Sequence, residues 1–77
     1  MSVKPEQSLD LQGLKCPLPA LVARRALQRA APETLLEIVC DDPLCHLDVP
    51  HMCRSENIEV VSLVRDGAIT RMVLRKV

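Results

Sequence analysis

Residues 8–19 read Ser8-Leu9-Asp10-Leu11-Gln12-Gly13-Leu14-Lys15-Cys16-Pro17-Leu18-Pro19. Leu9 and Leu11 alternate with Ser8, Asp10 and Gln12, the period of a half-buried strand, so Ser8 to Leu11 is read as a first strand. Gly13 to Lys15 forms a turn. From Pro17 to about Ala31 the chain is rich in Ala, Leu and Arg, all good helix formers. Two prolines in the first helical turn are tolerated, because N–H groups there lack intrahelical partners in any case. Pro32 ends the helix. Leu35 to Asp41 then forms a second strand, with Leu36, Ile38 and Cys40 on one face and Leu35, Glu37, Val39 and Asp41 on the other. A strand–helix–strand unit joins parallel neighbours, which sets an α/β class.

Working outward, Asp42-Pro43 is a helix start, with Asp42 as N-cap and Pro43 at the first helical position. This second helix runs to about Glu56, and Pro50 should kink or split it. Ile58 to Arg65 and Ala68 to Lys76 are strands rich in Val, Leu and Ile, joined through the hairpin signal Asp66-Gly67. The expected fold is a two-layer α/β sandwich of order β-α-β-α-β-β, a four-stranded mixed sheet with two helices on one face. Residues 8–77 make a single domain and residues 1–7 a flexible tail. In the last hairpin one face carries Val61, Leu63, Met72 and Leu74, and the other Val60, Val64, Ile69 and Val73 diluted by Ser62, Arg71 and Arg75. The first is taken as core. Either choice leaves aliphatic residues on the open face, as scattered surface valines or as an association surface.

The composition narrows the function. The chain has 77 residues, 10 basic and 10 acidic, with 48% hydrophobic residues and no Phe, Trp or Tyr. Its apolar content argues against disorder, and no apolar run approaches the ~18 residues of a membrane span. Residues 1–7 lack the apolar centre of a signal peptide. Without aromatic rings there is no platform for stacking bases, and direct nucleic-acid binding is not expected. A chain this small has little room for a deep substrate cavity. The balanced charge is nevertheless segregated. Residues 1–32 hold five basic and two acidic residues, residues 33–59 one and seven, and residues 65–77 four and one. Such blocks are ordinary solvated faces or a dipolar surface that orients docking.

Cys16 falls at the start of the first helix. Free N–H groups and the helix dipole favour an anion there, and Lys15 adds a positive charge, so the expectation is a depressed thiol pKa and a good sulfur nucleophile. In a C-x-x-C redox motif the second cysteine resolves a mixed disulfide, but here Pro19 occupies that position. A sulfur placed on Cys16 has no local thiol to remove it, which suits holding a sulfur atom until a partner takes it. The other reading is a small buried apolar cysteine. On the helix wheel Ala20, Ala23, Ala26, Leu27 and Ala30 share one side. Arg24, Arg25, Gln28 and Arg29 occupy the other. Leu18 and Leu21 lie in the arginine-rich sector beside Cys16, either as helix-end packing or as an apolar docking patch with a charged rim.

The segment Asp10 to Pro19 resembles the D-x-x-G-x-x-C-P-x-P signature of TusA/SirA-like sulfur-carrier proteins. Asp41-Asp42-Pro43 and Asp48-Val49-Pro50 resemble that family's D-D-P and D-I-P segments, and the similarity runs through Asp66-Gly67 to Arg75-Lys76. The resemblance implies the two-layer fold and a carrier, rather than a turnover enzyme, that holds a persulfide on Cys16 within the setting of Lys15, Pro17 and Pro19. It implies a sulfur donor such as a cysteine desulfurase or rhodanese and an acceptor such as a DsrE-like relay protein. Destinations in the family include tRNA thiolation, molybdenum-cofactor assembly and sulfur oxidation. Leu18, Leu21, Arg24 and Arg25 are then docking residues. No cofactor or metal is needed. Some members carry a cysteine where Cys53 stands, whereas Leu44-Cys45-His46 is less usual.

Cys40, Cys45, His46, His51 and Cys53 crowd the middle of the chain. Their spacing matches no familiar zinc finger. Without an export signal or paired C-x-x-C elements, free thiols in a reducing cytoplasm are expected, and a monomer. Cys45 or Cys53 is a possible second thiol for Cys16, Cys40 faces the core, and His46 and His51 are exposed helix residues. The alternative is a non-catalytic thiol-redox or metal-responsive binding module built on Cys45, Cys53 and the histidines. A third class is a regulatory adaptor that binds its partner without using Cys16.

Overall fold

The structure, a computed structural model, describes residues 5–77. Its elements are β1 (Gln7–Asp10), α1 (Leu18–Gln28), β2 (Leu35–Cys40), α2 (Cys45–Ser55), β3 (Ile58–Asp66) and β4 (Ile69–Lys76). The strands form one sheet in the order β1-β2-β4-β3. β1 runs parallel to β2, with Leu9 opposite Ile38, while β4 is antiparallel to both β2 and β3. β2 and β3 are therefore parallel with β4 between them, so the crossover through α2 leaves a gap that the hairpin fills. The expected mixed α/β sandwich is the observed one.

One aliphatic core joins the layers. Leu36, Ile38 and Cys40 of β2 and Met72 and Leu74 of β4 pack against Ala20, Ala23 and Leu27 of α1 and Cys45, Val49, Met52 and Cys53 of α2. The small side chains of α1 face the sheet and its arginines face outward, as the helix wheel requires. The C-terminal end of α1 is closed by a distant residue. Lys76 Nζ donates to Ala30 O at 2.7 Å and to Gln28 O at 3.3 Å, meeting carbonyls that have no helical donor. Arg75 pairs with Glu33 and Glu59, tying β4 to β3 and to the turn before β2.

Several local expectations shift. Residues 1–4 of the expected tail lie outside the described residues, and β1 begins at Gln7 within it. The hairpin turn is Gly67-Ala68, because Asp66 still pairs with Ile69; Gly67 supplies the positive φ of +60° that the turn needs. Pro50 neither splits nor ends α2, which is assigned without interruption from Cys45 to Ser55. Pro50 removes the N–H that would reach His46 O, and burial of Val49, Met52 and Cys53 on the same helix compensates.

The core face of the hairpin also differs from the expected set. Met72 and Leu74 are buried, but the pairing slips between Val60 and Ser62, leaving Val61 as an extra residue. A bulge of this kind reverses the alternation of sides. Val60 thus packs against the core, while Val61 and Leu63 are exposed. The open face carries Val39, Val73 and the exposed Val64 among Glu37, Arg71 and Arg75.

Leu74 lies on the fully buried side of the central strand β4, and Val64 on the open side of β3. Leu74→Ala should lower unfolding free energy by about 2–5 kcal/mol in urea titrations. Val64→Ala should change it by less than about 0.5 kcal/mol.

Candidate functional site

Cys16 sits in the loop between β1 and α1, and carboxylates of the β2–α2 segment hold that loop in place. Asp10 Oδ1 accepts from Gln12 N–H at 3.1 Å, turning the chain as it leaves β1. Gly13 follows with φ +87° and donates its N–H to Asp41 Oδ1 at 3.0 Å. Cys16 N–H donates to Asp42 Oδ2 at 2.9 Å. The other oxygen of Asp42 accepts from Leu44 N–H at 2.8 Å, so one carboxylate clamps two segments. Asp42 is buried, and these two backbone donors hold its carboxyl below the usual carboxylate range. It was expected to be the N-cap of α2. Leu44 has that position, and Asp42 acts two residues earlier, its own carbonyl also accepting from Cys45 N–H at 3.1 Å.

The thiol itself is exposed and donates to Asp48 Oδ2 in the first turn of α2. This corrects the expected electrostatics. Instead of a depressed pKa, the hydrogen bond to Asp48 pushes the Cys16 thiol above its ordinary value. Partial desolvation and the charges of Asp48 and Asp42 act in the same direction. The helix start is a weakened counterweight because part of its donor set is missing. Pro17 is the N-cap and Pro19 the second helical residue, and neither has an N–H. The N–H of Leu18, between them, is engaged by Lys15 O at 2.8 Å. Lys15 is exposed and forms no ion pair with either aspartate among the described residues.

The remaining candidates separate clearly. Pro17 is exposed and Pro19 is buried, so Pro19 anchors the helix start in the core. Leu18 and Leu21 are each 47% exposed, well beyond what helix-end packing would leave. Arg24 and Arg25 are exposed on the same helix, and Arg25 lines a shallow hollow with Leu9, Val22, Ala26 and Arg29.

Neither proposed second thiol is available. Cys45 is joined to Cys40 by a disulfide across five positions, with Cα atoms 6.8 Å apart, so free thiols at both positions is corrected. The signal was their placement at the end of β2 and the start of α2, flanking one tight corner. Cys53 is buried in the core, and loss of hydration pushes its thiol up to about 11. His51 is exposed as expected, but His46 is half-buried and its Nδ1 is enclosed without a hydrogen-bond partner among the described residues. With Cys45 bonded to Cys40 and Cys53 enclosed, Cys45, Cys53 and the histidines do not converge as a metal-ligand cluster among the described residues.

A profile of the family described as "Sulfurtransferase TusA" matches residues 7–76. The chain belongs to the TusA family. Its fold agrees with a crystal structure of a SirA-like protein from Desulfitobacterium hafniense. The two superpose with a TM-score of 0.76 at 15% sequence identity, over 90% of this chain and 95% of that one. TusA proteins are sulfur carriers and sulfurtransferases that act with partner proteins. In this TusA chain no described helix is long and apolar enough to cross a membrane. Asp48 is the contact that the sequence reading missed. It appeared there only within Asp48-Val49-Pro50, and its reach to Cys16 depends on the crossover between β2 and β3.

Two measurements follow. The rate of Cys16 alkylation by iodoacetamide should rise with pH to a midpoint above the free-thiol range of ~8.5. Asp48→Asn removes a negative charge beside the sulfur, so its midpoint should move down and its rate at pH 7 should rise. An unchanged midpoint would show that Asp48 does not act on the thiol. Asp42 has a lowered folded-state pKa, so its stabilising contribution is complete above the unfolded value of ~3.9 and is lost as pH falls through the lower folded value. Asp42→Ala should therefore reduce stability at pH 7 and flatten the acid limb of a stability–pH curve.

Proposed function

We propose that this chain is a sulfur carrier that holds a persulfide on Cys16 and relays its outer sulfur to a partner protein. The supporting observation is that Cys16 is the only exposed free cysteine among the described residues. It stands beside Leu18 and Leu21, whose exposed side chains adjoin Arg24 and Arg25.

In loading, the Cys16 thiolate attacks the outer sulfur of a donor persulfide. A new Sγ–S bond forms, the donor S–S bond breaks, and the electron pair leaves on the donor cysteine. Delivery repeats the exchange, with an acceptor thiolate as nucleophile and Cys16 as leaving group. Both steps conserve oxidation level, so neither calls for a cofactor. Lys15 and Pro17 border the sulfur, Pro19 fixes the helix start, and Leu18, Leu21, Arg24 and Arg25 form the docking surface.

The donor is of the cysteine desulfurase or rhodanese class and the acceptor a DsrE-like relay protein. The destination is tRNA thiolation, assembly of a sulfur-containing cofactor, or sulfur oxidation. The carrier works as a monomer in the cytoplasm, without direct contact to nucleic acid.

The protein should gain one sulfur atom by intact mass when incubated with a cysteine desulfurase and sulfur-labelled cysteine, and Cys16→Ser should not. No gain on the wild type, or an equal gain on Cys16→Ser, would overturn the proposal. Leu21→Asp should slow transfer from the desulfurase while leaving loading by inorganic polysulfide intact.

A further inference from the structure

We propose that Asp48 determines which thiols can remove sulfur from Cys16, disfavouring thiols that carry negative charge and leaving the persulfide to thiols presented beside a cation. The inference rests on the persulfide reading above and adds to it a selectivity built into this chain.

The geometry carries the argument. Asp48 Oδ2 accepts the hydrogen bond of Cys16 Sγ itself, so its charge lies at the reacting atom. Asp42 Oδ2 sits on the N–H of the same residue at 2.9 Å, and Asp41 Oδ1 on Gly13 N–H at 3.0 Å. Three carboxylates thus face the loop from the β2–α2 side. Among the described residues the ion pairs are those of Arg75 with Glu33 and Glu59, on other elements, so no Lys or Arg is paired with these aspartates. Lys15 adjoins Cys16 in the chain and its charge favours the ionised Asp42, but among the described residues it forms no ion pair with Asp48.

Delivery brings negative charge to this place twice. The attacking thiolate R–S⁻ approaches the outer sulfur. As the R–S···S bond forms and the Sγ–S bond breaks, the electron pair leaves on Cys16 Sγ, which then takes a proton from solvent. The products are R–S–SH and the Cys16 thiol. Asp48 opposes the arriving charge when the rest of the thiol molecule is also anionic. A cation on the thiol-bearing molecule reverses that interaction. Leaving-group basicity slows exchange further, so small thiols remove the sulfur slowly. A protein acceptor that presents a Lys or Arg beside its cysteine overcomes both effects by neutralising Asp48 as it docks.

The test uses the full chain loaded with inorganic polysulfide, with sulfur on Cys16 located by peptide mass. Release is then followed with 2-mercaptoethanesulfonate as the anionic thiol and cysteamine as the cationic one, each rate scaled to its thiolate concentration. Intrinsic reactivity cancels when the cationic-to-anionic ratio of wild type is divided by that of Asp48→Asn. The expected quotient is roughly thirtyfold at low salt, because it multiplies an attraction and a repulsion that are each about fivefold for a close charge pair in water. It should shrink as salt is raised. Asp48→Glu, which keeps the charge, should behave like wild type, which separates charge from loop positioning. Equal ratios in wild type and Asp48→Asn, or loss of selectivity in Asp48→Glu as well, would overturn the proposal. So would failure of polysulfide to load Cys16. Loading by a cysteine desulfurase is measured separately. If that fails while the charge selectivity persists, the carrier reading falls and the role of Asp48 stands. If loading succeeds and selectivity is absent, only the role of Asp48 falls.

Discussion

The Asp42 carboxylate is the joint on which this site is assembled. One oxygen holds Cys16 N–H and the other holds Leu44 N–H, so the loop before α1 and the turn before α2 are fixed to each other by a single buried side chain. A buried carboxylate is unfavourable unless its acceptors are used, and here both oxygens receive backbone donors. Those donors would otherwise be orphaned where two segments leave the sheet. Gly13 to Asp41 is a second bond of the same kind, one residue earlier in the segment that follows β2. The position of the thiol is thus set by the strand end from which α2 departs, as much as by the helix that follows it.

That arrangement relies on a core made without aromatic rings. Leu36, Ile38, Met72 and Leu74 supply the sheet's contribution, and Ala20 and Ala23 let α1 approach closely. Small helical residues suit a thin domain, because the helix axis must come near the sheet for aliphatic side chains to fill the gap. The two helices then meet along one edge, which brings the first turn of α2 beside the start of α1. Cys16 and Asp48 lie 32 positions apart and become neighbours only through this packing.

This explains what could be read from the sequence. Strand alternation at Leu9 and Leu11, the alanine-rich face of α1 and the valine-rich hairpin determine element order, because each depends on local periodicity. The bulge at Val61 was not legible, since Val60, Val61, Leu63 and Val64 supply aliphatic residues to both faces and the alternation alone does not choose a register. Of the two outcomes expected at Pro50, a kink or a split, the split does not occur, because tertiary packing outweighs a local penalty. At the site, the outward position of Leu18 and Leu21 was legible from the helix wheel, whereas the sequence leaves the exposure of Cys16 open against burial. The sign of the electrostatic effect was not legible. Lys15 is adjacent in sequence and was given weight, whereas the carboxylates that dominate arrive from a distant corner. The Cys40–Cys45 bond likewise joins residues whose proximity depends on how β2 turns into α2.

The prolines at positions 17 and 19 have a consequence beyond shaping the helix start. A helix end with free N–H groups is a general receptor for phosphate, sulfate and other small oxyanions. Those donors would compete for the space beside the sulfur and would recruit abundant solutes to it. With Pro17 and Pro19 lacking N–H and Leu18 turned to Lys15 O, this end offers few such donors. Beside Cys16, therefore, only part of the usual backbone oxyanion receptor is present.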